Sequence, residues 1–379
     1  PDSEGLEVWT GAALGQRRLA ILDLSDAGKQ PMLSDDEQVG VVFNGCIYNF
    51  QDLRKQLESL GCRFRSNCDT EVLVHGYQQW GVDVLVSRLR GMFAIGIWYN
   101  RRRALLLIRD RLGVKPLVYI MRGDSIAFAS TVSALREADL CDGLNPDAVL
   151  EYLEFGWIGE DQAIYTGVRK VAPASIVEWR NGQISHRTYW TPPEPASGKL
   201  SLDEAADQAE ELLIEAAKLR LISDVPAGSL LSGGIDSGLV VSYMAEALGD
   251  RLVTASVGFG ERGHNELEAA GITAAHFGSR HYTEVIEPKL DEVIGPVIAG
   301  LGEPLADSSA IPTWYVSRAA RQHVTVALSG DGGDESFAGY DFRYVPHAME
   351  DTIRQWRPAP LAPMMGYLGA HWPRGRHLP

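Results

Sequence analysis

The sequence predicts two folded regions of different class, an antiparallel α+β region followed by a doubly wound parallel α/β region. Three observations predict this. Up to Trp190, short apolar segments separated by turns do not alternate regularly with helical patterns, which favours antiparallel sheets with covering helices. Thr191–Lys199 then packs three prolines and a glycine into nine residues, the composition of an interdomain linker. Beyond it strand and helix patterns alternate, and two glycine-rich loops fall where strands end, the place where parallel sheets bind ligands. The expected division is therefore 1–190, a linker at 191–199, and 200–379.

In the first region the expected strands are Leu19–Leu24, Gly40–Phe43, Met92–Trp98, Ala104–Ile108 and Leu117–Tyr119. A helix is expected at Asn49–Leu60, where Phe50, Leu53 and Leu57 share a face and Gly61 ends the pattern. Others are expected at Asp69–Trp80 and Pro146–Phe155. In the second region Ser201 and Glu204 form a capping box ahead of a helix whose face is Ala209, Leu212, Leu213, Ala216 and Leu219. A strand then leads into Leu230–Ser237. Helices follow at Ser237–Leu248, Glu266–Phe277 and Ile311–Gln322, with strands at Leu252–Phe259, His281–Ile286 and Val324–Leu328. No internal repeat or low-complexity tract is found.

With 379 residues, 45% of them hydrophobic and 22% charged, the chain can bury more than one core. A net charge of −15 leaves no basic surplus to neutralise phosphates, so nucleic acid is not an expected partner. No apolar run is long enough to span a membrane, and the opening Pro-Asp-Ser-Glu-Gly has no secretory pattern. Cys46, Cys62, Cys68 and Cys141 show neither zinc spacing nor a CxxC pair. They predict free thiols and a cytoplasmic location. A chain that opens on Pro1 and closes on the Pro-, Gly- and Arg-rich stretch Trp356–Pro379 is expected to be a piece of a longer protein.

The chemistry concentrates in the two glycine-rich loops. In Leu230-Leu-Ser-Gly-Gly-Ile-Asp-Ser237 a strand turns sharply into a helix. Backbone N–H groups and the positive helix end meet there, which makes an anion site. Ser232 and Ser237 add hydroxyls. Asp236 adds a carboxylate, sensible beside phosphate if Mg²⁺ bridges the two. The second loop, Ser329-Gly-Asp-Gly-Gly-Asp-Glu335, places Asp334 similarly. No Walker string is present.

Ser232-Gly-Gly-Ile-Asp-Ser237 resembles the PP-loop of the ATP pyrophosphatases. Leu328–Tyr340 and Glu303-Pro-Leu-Ala-Asp-Ser-Ser-Ala-Ile-Pro312 resemble glutamine-hydrolysing asparagine synthetases. The resemblance implies that ATP activates a carboxylate as an acyl-adenylate, which ammonia converts to an amide with release of AMP and pyrophosphate. It places Leu230, Val257, Ser329 and Gly330 around adenosine. It places Ser232, Gly233, Gly234, Ile235, Asp236 and Ser237 on the pyrophosphate, and Asp236 and Asp334 on Mg²⁺. Asp331 would assist adenylate formation and the attack of ammonia. The plainer alternatives are a turn residue for Asp331 and a helix cap for Asp334.

The first region resembles class II glutamine amidotransferase domains, through Leu14–Ile21, Phe43-Asn-Gly-Cys-Ile-Tyr-Asn49, Asp69-Thr-Glu71, Gly91-Met-Phe93 and Arg109–Leu117. That resemblance implies a four-layer αββα fold of the Ntn type with an N-terminal Cys nucleophile. Arg18 would bind the glutamine carboxylate, Asp69 its α-amino group, and Asn44 and Gly45 would form an oxyanion hole. For Arg18 and Asp69 the plainer alternative is a surface ion pair.

Three departures stand out. The nucleophile would precede Pro1. Cys46 stands where the family has Glu, so weaker glutamine binding is expected. A Lys that the family carries downstream of the second loop has no match. The chain alone is therefore expected to bind nucleotide poorly or without turnover, and its intact parent to be active. Cys46 is read as a structural thiol and not as a replacement nucleophile. The expected partners are glutamine, ATP and aspartate or another carboxylate, and a homodimer is left open. The alternatives in function are another carboxyl acceptor, or a paralogue that keeps the fold without catalysis.

Overall fold

The computed structural model describes residues 2–159, 161–194, 198, 200–259 and 266–355. Pro1, part of the 191–199 stretch and Trp356–Pro379 lie outside the described residues. Two compact units are formed, Pro1–Ser329 and Gly330–Pro379.

The first unit opens with an antiparallel hairpin of β1 (Ser3–Trp9) and β2 (Ala12–Arg18). Two further antiparallel sheets follow. One has six strands, joining β3 (Met32–Leu33), β4 (Val39–Ile47), β5 (Gly91–Tyr99), β6 (Ala104–Arg109), β10 (Ser175–Arg180) and β11 (Gln183–Thr188) in the order β11-β10-β6-β5-β4-β3. The other joins β7 (Val118–Arg122), β8 (Ser125–Ala129) and β9 (Val168–Lys170), with β7 central. Four helices cover them: α1 (Phe50–Ser59), α2 (Thr70–Arg88), α3 (Val132–Glu137) and α4 (Pro146–Phe155).

Strand alternation builds the layers. From β4 and β5, Val41, Phe43, Ile95 and Ile97 pack with Leu53 and Leu57 of α1 and Val72 and Leu73 of α2. Val42, Trp98, Leu105 and Leu107 face the opposite way, onto Leu14, Leu117 and Tyr119. The far face of β7, with Val118 and Ile120, packs on Val132 and Leu135 of α3 and Ala148 of α4. Helix, sheet, sheet, helix is thus the layer order.

The rest of the first unit is a parallel sheet of β12 (Ala227–Leu230), β13 (Val253–Phe259), β14 (Arg280–Ile286) and β15 (Val326–Leu328). Around it lie α5 (Leu202–Arg220), α6 (Ile235–Leu248), α7 (Leu267–His276), α8 (Leu290–Leu301) and α9 (Ala310–Arg321). The strand order is β14-β13-β12-β15. The chain moves outward from β12 to β14 and returns on the other side as β15. The topological switch point therefore lies between the carboxyl ends of β12 and β15. The second unit holds α10 (Gly333–Phe337) and α11 (Asp341–Gln355).

Both halves of the first unit share a boundary. Leu219 and Ile222, at and just beyond the end of α5, pack on the α1–α2 core, and Arg220 lies over the Tyr48 ring at 5.0 Å. Asp224 accepts from Asp23 N at 2.7 Å and its own N–H donates to Ile21 O at 2.9 Å.

These contacts explain why Leu19–Leu24 is not a strand. Its backbone groups are taken by the Arg18 side chain and by Asp224 rather than by a neighbouring strand. The capping box of α5 is formed, with Glu204 N donating to Ser201 Oγ at 3.2 Å and Ser201 N donating to Glu204 Oε2 at 2.9 Å. The packed stripe of α5 differs from the expected one, since Ala217 is buried while Leu212 is 65% exposed. The helix expected to end at Trp80 continues to Arg88 across a kink at Gly81 (φ 71°). α8 was not expected, because Pro296 within it removes a helical donor.

Candidate active site

The glutaminase-type residues converge at the end of β4 and the start of α2. Arg18 ends β2 and is buried; its guanidinium donates to Leu22 O at 2.6 Å and Asp23 O at 2.9 Å and touches Cys68 Sγ at 3.6 Å. Gly28 makes room for it, since a Cβ there would lie 2.8 Å from Arg18 Cζ. Cys68 Sγ lies 3.5 Å from Asp69 Oδ1, and Asp69 Oδ2 accepts from Ile47 N at 2.9 Å. Arg18 and Asp69 are therefore linked through Cys68, inside the protein rather than on its surface. Cys68 and Gly28 are additions that no sequence spacing points to.

Burial pushes the Asp69 carboxyl up to about 6, against the opposing pull of Ile47 N–H, Cys68 and Arg18. Burial also raises the Cys46 thiol to about 12, and the Asp69 charge adds to the shift. The thiolate is the nucleophilic form, so Cys46 does not supply one. All four cysteines are free.

Asn44 and Gly45 lie on β4 opposite Ala94 and Phe93 of β5. Gly45 has φ 153°, and a Cβ on it would overlap the Met92 carbonyl and lie 2.8 Å from Phe93 Cα. Only glycine fits, and the strands approach unusually closely. The half-buried Asn44 carboxamide makes no hydrogen bond to a described residue. Gln30 braces the strand: its Oε1 accepts from Phe43 N at 2.6 Å and its Nε2 donates to Thr70 Oγ1 at 3.2 Å.

Other residues in the matching strings hold loops. Arg109 donates to the carbonyls of Gly113, Lys115 and Val171 at 2.8 to 3.0 Å. Asp110 accepts from the N–H groups of Phe93, Leu112, Val114 and Lys115. Glu71 accepts from Arg65 N and from the N–H and hydroxyl of Ser66. Burial opposes its charge, but His75, Ser66 and Arg65 outweigh that and hold the carboxyl down to about 2.

With the folded value below the ordinary 4.5, Glu71 stabilises the fold above pH 4.5 and loses that contribution as pH falls toward about 2. Glu71→Ala is expected to cost about 2–3 kcal/mol by leaving buried donors unpaired. Chemical denaturation at pH 7 and pH 3.5 checks both points: the loss should shrink at the lower pH.

On the parallel sheet, β12 ends at Leu230 and Ser232–Gly234 turns into α6. Gly233 has φ 89°, and a Cβ there would meet Ala269 Cβ at 2.8 Å and Glu266 O at 3.1 Å. The turn is fixed by its own hydroxyls. Ser237 Oγ is 3.0 Å from Ser232 Oγ and donates to Gly234 O at 3.2 Å, and Gly234 N donates to Ser232 Oγ at 3.2 Å. The first-turn amides of α6, which lack intrahelical partners, are thus presented at a half-exposed edge beside Asp236.

Val257 stands toward the carboxyl end of β13 and packs with Tyr315 and Ile286. Ser229 Oγ donates to Leu328 O at 3.1 Å, tying β12 to β15 where Ser329 leaves the sheet. Leu230, Ser232–Ser237, Val257 and Ser329 therefore lie on the switch-point side of the sheet.

In the second unit Gly332 (φ 92°) precedes α10. Asp334 is in the first turn of that helix and its carboxylate fills the space where a Gly339 Cβ would stand. Gly333 N donates to Gly330 O at 3.1 Å, closing the turn that carries Asp331. Among the described residues no group of three or more His, Cys, Asp or Glu side chains could hold a metal ion. None of their helices is long and apolar enough to cross a membrane.

Residues 1–190 match the glutamine amidotransferase domain family, and residues 208–379 match the asparagine synthase family. A putative glutamine-hydrolysing asparagine synthetase 2 of Methanocaldococcus jannaschii is 35% identical over 90% of this chain and 70% of its own length. The chain belongs to the glutamine-hydrolysing asparagine synthetase family. Glutamine-hydrolysing asparagine synthetase 1 of Bacillus subtilis is 36% identical over 99% of the chain and 59% of its own length. The amidase chyE of Penicillium rubens, 31% identical over 90% of the chain and 53% of its own length, is similar too. The chain thus spans little more than half of some of its family relatives. The layered antiparallel half and the switch-point parallel sheet fit the two family matches in sequence order.

Proposed function

We propose that the protein containing this chain amidates a carboxylate at the expense of ATP, with ammonia taken from glutamine, and that the carboxylate is aspartate. Residues 1–190 would release ammonia and residues 200–379 would activate the acid. The observation that carries the reading is the pairing, within one compact unit, of a buried Arg–Asp cluster beside an unengaged Asn–Gly pair with a hydroxyl-wired phosphate loop at a sheet switch point.

In the first half Arg18 binds the glutamine carboxylate and Asp69 its ammonium group. The Asn44 carboxamide and the Gly45 N–H donate to the oxyanion of the tetrahedral intermediate. In the second half an acid oxygen attacks the α-phosphorus of ATP and pyrophosphate leaves, held by Ser232, Ser237 and the amides of Gly233 to Asp236. Ammonia then attacks the acyl carbon and AMP departs. Leu230, Val257 and Ser329 border adenosine; for Gly330 support comes from the sequence resemblance alone.

Mg²⁺ suits this donor set. It needs one or two carboxylates and completes its octahedron with phosphate and water, so the lack of a multidentate protein cage is no obstacle. Asp236 would hold it and neutralise phosphate charge. For Asp334 as a second ligand, and for Asp331 as the group that orients ammonia, support comes from the sequence resemblance alone. The free thiols accord with a cytoplasmic place of work.

The test is direct. The full-length protein given ATP, Mg²⁺, ammonium and aspartate should form AMP and pyrophosphate in equal amounts; formation of neither overturns the reading. A different acceptor is favoured by the similarity to chyE, a relative named an amidase. AMP release across a panel of acids separates the two.

Asp69 adds a pH prediction. Its carboxyl is raised to about 6, so its linkage favours the fold below the ordinary 3.8 and fades as pH rises through 6. Glutamine binding needs the ionised form and gains over the same range. The KM for glutamine is expected to rise as pH falls below about 6, while the KM for ammonia, corrected for its protonation, does not follow. Steady-state assays between pH 5 and pH 8 check this, and Asp69→Asn should abolish the dependence.

A further inference from the structure

A charged pair bridges the two halves of the first unit away from both clusters. Lys170 ends β9 in the antiparallel half, and Glu303 follows Gly302, the C-cap of α8, in the parallel half. Lys170 Nζ lies 2.5 Å from Glu303 Oε1, with side-chain exposures of only 14% and 18%. Nζ also donates to Ile158 O at 2.9 Å. Around the pair the halves meet closely: Ala306 N donates to Gly156 O at 2.7 Å, and a Cβ on Gly302 would lie 2.8 Å from Ser133 Oγ.

The pair is asymmetric. Lys170 keeps a carbonyl partner if Glu303 is lost. Glu303 Oε2 is buried without a hydrogen-bond partner, and among the described residues Lys170 is the only polar partner of the Glu303 side chain. An exposed ion pair contributes little. Here, removing the cation would leave a carboxylate stranded out of water, and it would have to swing outward for solvation. Pro304 follows directly, so the movement passes to Leu305 and Ala306 and strains the Ala306–Gly156 hydrogen bond. The same loop enters α9, whose Tyr315 belongs to the buried cluster on which Val257 packs.

We propose that Lys170 is a positioning residue that keeps the two halves in register, holding the Glu303–Ser309 loop through Glu303 so that ammonia released in one half is used in the other. The inference rests on the amidotransferase reading for its functional consequence, but its structural part can be tested without it.

The full-length protein and its Lys170→Met, Lys170→Arg and Lys170→Met/Glu303→Met variants are compared in two assays. In Lys170→Met the glutamate formed per pyrophosphate should rise by about tenfold, the range of ordinary site-to-site coupling, while AMP release driven by saturating ammonium stays within about twofold. Lys170→Arg should restore the wild-type ratio, and the double variant should recover part of it, since it strands no charge. A merely structural lysine would lower both reactions together, and that result overturns the proposal.

Hydrogen exchange gives the second readout. The amides of 156–158 and of Glu303, Leu305 and Ala306 should exchange faster in Lys170→Met and return to wild-type rates in Lys170→Arg; unchanged exchange at both segments overturns the proposal. If the wild-type protein releases no AMP with any acid, the amidation reading fails and exchange alone decides the role of Lys170.

Discussion

Gly45→Ala is expected to lower glutamine-driven amide formation by roughly a hundredfold or more, the effect of losing an oxyanion donor, while leaving ammonium-driven AMP release nearly intact. The reason is the approach of β4 and β5. An added Cβ would overlap the Met92 carbonyl and lie 2.8 Å from Phe93 Cα. Gly91 repeats the constraint from the other side, since a Cβ there would overlap the Cys46 carbonyl and lie 3.0 Å from Ile47 Cα. The strands can admit a methyl group only by separating. That movement carries the Gly45 N–H and the Asn44 carboxamide away from the Arg18–Asp69 cluster.

Overpacking of this kind costs about 1–3 kcal/mol, which a domain with three buried clusters behind these sheets can bear. The measurement is a pair of steady-state assays, one with glutamine and one with ammonium, accompanied by thermal melts. A selective loss with glutamine supports the assigned role. Equal loss in both assays would make Gly45 a packing residue only.

Sequence reading succeeds where the requirement is local. A pair of glycines between strand and helix reports a backbone that must turn sharply, and the residue type alone carries that message. Gly233 with its positive φ and the Ser201–Glu204 capping box were legible for the same reason, since each is a local requirement met by adjacent residues. The layered half and the parallel half were legible because strand and helix periods differ.

What sequence could not supply depends on partners distant along the chain. Leu19–Leu24 has a strand's composition, but Arg18 and Asp224 claim its backbone. Leu212 has a core residue's chemistry, but the helix turns Ala217 inward instead. Cys68 joins Arg18 to Asp69 across 50 residues from one side and by adjacency on the other, which no spacing rule anticipates. Lys170 and Glu303 are similar: each reads as an ordinary surface charge until the fold removes both from water.

Asp236→Asn carries the other large expected effect, and its logic is the converse of the Gly45 variant. The substitution preserves shape, and the turn it follows is held by Ser232, Ser237 and Gly234 rather than by the Asp236 carboxylate. Fold and loop should therefore persist. What disappears is a negative charge in the first turn of α6, beside amides that favour anions. For a residue that only packed or capped, removing that charge would change little. For the proposed Mg²⁺ ligand it removes a group that anchors several kcal/mol of transition-state stabilisation by the ion, so AMP release should fall by roughly a hundred- to a thousandfold. The loss should be the same whether ammonium or glutamine supplies nitrogen, and glutamine hydrolysis without ATP should be unchanged. Raising Mg²⁺ should recover part of the activity in the variant and none in the wild type once saturated. A variant that releases AMP at the wild-type rate at limiting Mg²⁺ would remove Asp236 from the metal site and leave the phosphate loop to bind ATP through its amides and hydroxyls alone.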